Sequence, residues 1–397
     1  MGQAVRSAMA LGLHSSQALS SHAADSNRSR ATFWTIYFLE RITCLHLGRP
    51  TCLVDHYIDA PFPEDAPNAS GADANSSYAY IRAMTVVGKI SHALLMAAYS
   101  PQSVKTAQEL PRMNQLNNEC VTELQRTCDC LPPSLRFLDK RVPIGYSWQE
   151  VQRTSLGITY HLVRLLIFRP SLVYASFFTS LAAAQDSIGD KMILKTNIEY
   201  SLSSAKMIID LAYDSFFRRC PLLCRDGNLA SAVVTACLTL LFDVLDAETT
   251  TSRANEVFGF VDKGLECLRR ADHVGSTTGS AISIEVMKIA KDAIFANELE
   301  ASLLPELSHN FAWLNDTALW EQDGQPSSSG GLSASGMLGD LGLKETSQLQ
   351  PVSDVSSWTA DPGNSHQLIM DLMGESLRFS DNYYRGFHQA PGYEGFS

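Results

Sequence analysis

The sequence predicts an all-α protein: a multi-helix bundle or array followed by a disordered C-terminal tail. Three observations predict it. Apolar residues recur at spacings of three and four through most of residues 1–300. No series of short alternating strands separated by hairpin turns occurs. Beyond about residue 322 the periodicity gives way to a Ser/Gly-rich stretch, Ser327 to Ser329 with Gly330 and Gly331.

Taken in order, the first strong helix spans residues 27–47. It carries Phe33, Trp34, Tyr37, Phe38, Ile42, Cys44 and Leu45, apolar on most of its circumference, so it requires burial on more than one side. Asp25 or Ser26 suits its N-cap, and Gly48 with Pro50 stops it. Residues 60–77, with Pro61, Pro63, Pro67 and Gly71, read as a loop. Further helices are expected at 79–99, 112–129, and 149–169 and 171–184 on either side of Pro170, then at 228–246. Ile198, Leu202, Ala205, Ile209 and Ala212 form an amphipathic stripe; Val257, Val261, Leu265 and Leu268 form another, and Ile282, Val286 and Ile289 a third.

A chain of 397 residues exceeds what one core needs, so two or three structural units are the prior. Hydrophobic content of 45% and charged content of 18% suit a globular protein. The net charge of −11 argues against a chain that wraps DNA or an anionic membrane unaided, since phosphate binding runs on lysine and arginine. Arg28 with Arg30, Arg218–Arg219 and Arg269–Arg270 are too short to read as nuclear import signals. The N-terminus has no secretory pattern, and the apolar stretch from Leu229 to Phe242 ends at Asp243, short of the ~20 residues a bilayer demands. The expectation is a soluble intracellular protein without a membrane partner, its nine scattered cysteines reduced.

The tail is acidic. From residue 311 onward eleven acidic residues face three basic ones, with Trp313, Trp320, Trp358, Phe379, Tyr383 and Tyr384 among the interspersed aromatics. Carboxylates that keep aromatics solvated suit a segment that folds on contact with a coactivator, so 311–397 reads as an activation region or as an ordinary solvated terminus.

One set of residues carries more than pattern. Ala10-Leu-Gly-Leu-His14 is followed by Arg28 and Arg30, Phe33-Trp34, Tyr37 and Glu40-Arg41, then Leu47-Gly-Arg-Pro50, Asp55, Ile58-Asp59 and Phe62-Pro63. In this order they resemble the middle regulatory region of fungal zinc-cluster transcription factors, the fungus-specific transcription factor domain. His161-Leu-Val-Arg164 through Phe168-Arg169-Pro170 is similar to a later helix of that family. The resemblance implies a helical regulatory domain over residues 1–310, a nuclear address, and as partners full-length relatives, coactivators or a small-molecule effector. It also implies zinc, bound by six cysteines near the N-terminus of family members. No Cys-x2-Cys pair occurs in this sequence, so no cofactor is expected in this chain. DNA contact is expected only through a missing N-terminal module, the chain being N-terminally truncated in its gene model or a shortened relative.

Read without the family, the same residues form a fold-fixing corner. Gly48 supplies a left-handed stop, and Pro50 cannot continue the helix. Arg49 is placed to donate to the last helical carbonyls or to pair with Asp55 or Asp59. Trp34 and Tyr37 each bring one donor to satisfy, and Arg41 completes the signature set. His161, Arg164 and Arg169 are the candidate lining of an effector pocket.

Catalytic patterns are wanting. Cys128-x-Cys130 and Cys220-x3-Cys224 have no second pair to complete a zinc site. Glu306-Leu-Ser-His309 has no second copy for a two-metal bundle. Neither an Asp-Asp-x-x-Asp cluster, nor Gly-x-Ser-x-Gly, nor a phosphate-binding Gly-x-x-x-x-Gly-Lys-Ser/Thr occurs. His14 and His46 read as satisfied hydrogen-bond partners. The reading is a non-enzymatic transcription regulator of the fungal zinc-cluster type, controlling metabolic or biosynthetic genes; the alternatives are an all-α small-molecule enzyme or a non-functional gene-model fragment.

Overall fold

The computed structural model describes residues 1–19, 26–65, 78–99, 110–175, 178, 181–188, 191–244, 249–271, 279–281, 283–285, 287, 288 and 291. The tail from 311 onward, the third stripe's Ile282, Val286 and Ile289, Asp25, and the Glu306/His309 pair lie outside them. Among the described residues the structure is helical, with no strand. The helices are α1 (Gly2–Ala10), α2 (Ser16–Leu19), α3 (Ser26–Leu47), α4 (Ala79–Ala98), α5 (Leu110–Asp129), α6 (Ser147–Ala175), α7 (Leu181–Ile188), α8 (Lys191–Asp214), α9 (Gly227–Val244) and α10 (Thr251–Ala271).

Helix α3 is buried on two sides, as its all-round apolar surface requires. Phe33, Trp34 and Tyr37 join Val5 and Ala8 of α1 and Leu53 and Ala60 of the following loop in a small N-terminal core. Phe38, Ile42 and Leu45 face α4 and belong to the main core. Gly48 ends α3 at φ 60°, with its own N–H on Leu45 O at 3.4 Å and the Arg49 N–H on Cys44 O at 3.0 Å. This is the paired closure that a left-handed glycine permits. Gly12, at φ 70°, ends α1 in the same way, with Leu13 N on Ala8 O and Gly12 N on Met9 O, both at 3.0 Å.

The main core is built around α6, which packs on α4, α5, α8 and α9 and buries residues along its whole length. The α8 stripe is buried throughout, and so are Val257, Val261, Leu265 and Leu268 of α10. Helices α4, α6 and α9 are long and apolar enough to cross a bilayer by length and composition, yet 50%, 83% and 78% of their most apolar windows are covered by the rest of the protein.

One expected break is absent. Helix α6 continues through Pro170 to Ala175, where sequence pattern gives two helices. Proline lacks the N–H that would serve the carbonyl four residues earlier. That carbonyl, of Leu166, instead accepts a hydrogen bond from the Tyr99 hydroxyl at 2.8 Å. A tertiary donor replaces the lost local one, and the helix survives.

Candidate functional site

The segment after α3 folds back over it, and its backbone is held by α3 side chains. Trp34 Nε1 donates to Pro61 O at 3.0 Å, and the Tyr37 hydroxyl to Asp55 Oδ1 at 2.7 Å. Arg41, fully buried, donates to the Thr51 hydroxyl, to Leu53 O at 2.9 Å and to Asp55 Oδ1 at 2.7 Å, while its guanidinium lies 4.9 Å from the centre of the Tyr37 ring. The Glu40 carboxylate accepts the Cys52 N–H. From the α1–α2 turn, His14 O accepts the N–H groups of Asp59 at 3.1 Å and Ala60 at 3.0 Å, and Asp59 in turn accepts from Ser16 N and Oγ. Asn27 and the Glu64 backbone exchange two hydrogen bonds at 2.7 and 2.8 Å.

Three pieces of chain, 12–16, 27–41 and 48–64, thus meet at one corner. Asp55 takes Arg41 and Asp59 takes Ser16. The spacing of Arg49 pointed toward these two carboxylates; the guanidinium that pairs with Asp55 is that of Arg41, fourteen residues away in the chain. Burial, reinforced by the Asp55 hydrogen bond, pushes the Tyr37 phenol well above its ordinary range. Burial next to Glu40 pushes the Cys44 thiol up to about 12. Neither group is prepared to act as a base or nucleophile near neutral pH.

The α6 candidates sit against different neighbours. His161 is buried with both ring nitrogens lacking a hydrogen-bond partner, edge-on to the rings of Tyr160 at 5.1 Å and Phe137 at 5.8 Å. Burial, with a smaller contribution from Arg164, pushes its pKa down to about 3, so the ring is neutral. Arg164 reaches α8, donating to Ser203 at 3.4 Å and Ser204 at 3.3 Å and lying over the Tyr200 ring. Arg169 is buried and interacts electrostatically with Tyr99; burial lowers its pKa.

Two clusters escaped the sequence. Arg219, in the π-helical turn Ser215–Arg219 that ends α8, forks onto Glu150 at 2.7 and 2.9 Å, both side chains buried. Arg153 lies 3.8 Å from the same carboxylate. Burial alone would raise the Glu150 carboxyl, but hydrogen bonds from Arg219 and the Gly145 N–H, with the two guanidinium charges, hold it below its ordinary value. Glu150 and Arg219 are 69 residues apart, and no local signal joins them. Between α8, α9 and α10 lies a groove of about 280 Å³, lined by Leu202, Leu240 and Val257 and bridged by Lys206–Glu256 and Arg253–Asp243. Among the described residues no group of three or more His, Cys, Asp or Glu side chains is placed to hold a metal ion.

Residues 1–140 match the fungal specific transcription factor domain, a span that takes in the whole corner. Those residues are similar to a fungal specific transcription factor domain. Over 185 residues the chain is also 28% identical to the transcriptional activator protein acu-15 of Neurospora crassa, an alignment covering 43% of this chain and 19% of that protein. The chain thus spans about a fifth of the curated relative it matches. No solved structure matches it. Within the matched span lie α1 to α5 and the loop beyond, whereas α6 to α10 and the Glu150 cluster follow it. The zinc cluster implied by the family resemblance needs paired cysteines; Cys128-x-Cys130 and Cys220-x3-Cys224 do not supply that spacing, and all nine thiols are free.

Proposed function

We propose that this chain is the regulatory body of a fungal transcription regulator, and that its corner works by holding geometry rather than by touching a ligand. The observation that carries the reading is the family match over residues 1–140, whose signature side chains, Trp34, Tyr37 and Arg41, spend their donors on the loop backbone and on Asp55. A body extending to about residue 310, held in one packing, relays a signal when a ligand or protein partner favours another packing. Residues 311–397 serve as the acidic activation region that meets coactivators. The chain works in the nucleus, reaching DNA through a separate zinc-cluster module on the same or a partner polypeptide.

His161, Arg164 and Arg169 are the proposed lining of an effector site. The two unpartnered ring nitrogens of His161 favour this, since a buried polar group without a partner is costly unless something uses it. Alanine at His161 and Arg164 that leaves both folding and reporter response unchanged disposes of that assignment.

The whole reading is tested by fusing the chain to an unrelated DNA-binding domain in a fungal reporter strain. Residues 311–397 alone are expected to raise the reporter, and the full chain to restrain or condition that output. A silent tail and a full chain indistinguishable from the bare DNA-binding domain would refute it.

A further inference from the structure

Residues 136–149, between the end of α5 and the first turn of α6, combine a fixed backbone with exposed side chains. The backbone is pinned from beneath. Arg153 donates to Arg136 O at 3.3 Å and Asp139 O at 3.0 Å; Arg219 donates to Val142 O at 3.1 Å and Pro143 O at 3.0 Å. Glu150 accepts the Gly145 N–H at 2.8 Å, and Gln149 reaches back to the Tyr146 N–H at 3.0 Å, as in a helix capping box. A Cβ at Gly145 would stand 2.5 Å from Gln149 Oε1, so a larger residue there would push the Gln149 side chain out of that closure.

What this backbone presents to solvent is apolar and aromatic. Ile144 is 53% exposed, Tyr146 74% and Trp148 51%; Leu138 and Val151 are exposed too, the latter one helical turn from Trp148. Surface loops ordinarily carry polar side chains on a mobile backbone. Here three buried charged residues immobilise a backbone whose large apolar groups face water. Tyrosine, tryptophan and arginine are the residues that dominate binding energy at interfaces, and a backbone ordered beforehand spares the partner that entropy.

Charge selects the occupant. Arg136, Lys140 and Arg141 are exposed here, against Asp139 alone, which Arg141 already meets at 3.2 Å. The platform is locally basic on a chain of net charge −11. A second copy pairing by two-fold symmetry would set these cations against their own images. We infer that residues 136–149 are a docking surface for an acidic protein segment bearing aromatic or aliphatic side chains. This goes beyond the regulatory reading and holds whichever way the reporter experiment falls.

The test uses the full chain and two fluorescently labelled synthetic peptides. One alternates Asp or Glu with Leu or Phe; the other replaces every acid by Asn or Gln. Anisotropy titrations are expected to show the acidic peptide binding, more weakly as salt rises, and the neutral one binding at least about tenfold more weakly. The charge variant Lys140→Glu/Arg141→Glu and the aromatic variant Tyr146→Ala/Trp148→Ala are each expected to lose at least about tenfold, with urea midpoints near wild type. Because the two variants perturb different side chains, either one remains decisive if the other unfolds. Equal binding of both peptides, no binding, or undiminished binding by a folded variant overturns the proposal. So does self-association of the chain, seen by sedimentation, that the variants abolish: that result would make a second copy the occupant.

Discussion

Tyr99→Phe removes a single hydroxyl, and the structure says what that hydroxyl does. It donates at 2.8 Å to Leu166 O, the carbonyl that Pro170 leaves without its helical donor. Leu166 is buried, so losing the bond strands an acceptor away from water, at a cost of about 1–3 kcal/mol. Pro170→Ala restores an N–H at the position that can serve the same carbonyl. In that background Tyr99→Phe should cost under about 1 kcal/mol, giving a coupling of about 1–2 kcal/mol between two residues 71 positions apart in sequence. The assay is urea unfolding of the four proteins of the cycle, followed by far-UV circular dichroism with a common slope. An unchanged cost in the two backgrounds, or a cost below about 0.5 kcal/mol in the wild-type one, would refute the explanation of how α6 passes Pro170.

Three further outcomes are expected. Arg41→Met should destabilise the protein by about 3–5 kcal/mol, because it strips Asp55, Leu53 O and Thr51 of a donor and leaves Glu40 buried beside no cation; Arg41→Lys should fall between, and urea midpoints rank them. Glu150→Gln should cost a similar amount by leaving Arg153 and Arg219 buried without their counter-charge, and limited proteolysis should then open residues 139–145. His161 gives a pH signature: its pKa falls from 6.5 unfolded to about 3 folded, so between those values the unfolded chain holds a proton the native one refuses. Stability from this residue is therefore complete above the unfolded value and declines as pH falls; going from about pH 7.5 to about pH 5.5 should cost about 1.4 kcal/mol through His161, so His161→Phe should shrink the pH-dependent loss in thermal melts by that amount, leaving the loss of the same sign from buried His46 and from His92.

What could be read from the sequence was what local physics decides. The apolar circumference of residues 27–47, the Gly48 stop and the stripes of α8 and α10 each follow from spacing or from one residue's conformational freedom, and the helices form there. Pro170 shows the limit of that logic, since the donor that rescues the helix comes from Tyr99 on a distant segment. The corner was legible as a corner through Trp34, Tyr37 and Gly48, yet the pairing of Arg41 with Asp55 is set by how the loop returns across α3. Glu150 and Arg219 were silent because a buried ion pair leaves no periodicity, and α1 because a short helix closed by Gly12 carries too few apolar positions to stand out. His161, Arg164 and Arg169 share one helix in sequence but face different neighbours.

The claim on which the account turns is that the signature residues of the span similar to a fungal transcription factor domain act through the fold. Reporter output of the tethered chain, measured for wild type, Arg41→Lys, Arg41→Met and Tyr37→Phe and plotted against the folded fraction of each at the assay temperature, tests it most directly. All four are predicted to fall on one rising line through zero output at zero folded protein. A variant that is fully folded and silent would contradict it, and would make the corner a contact surface instead.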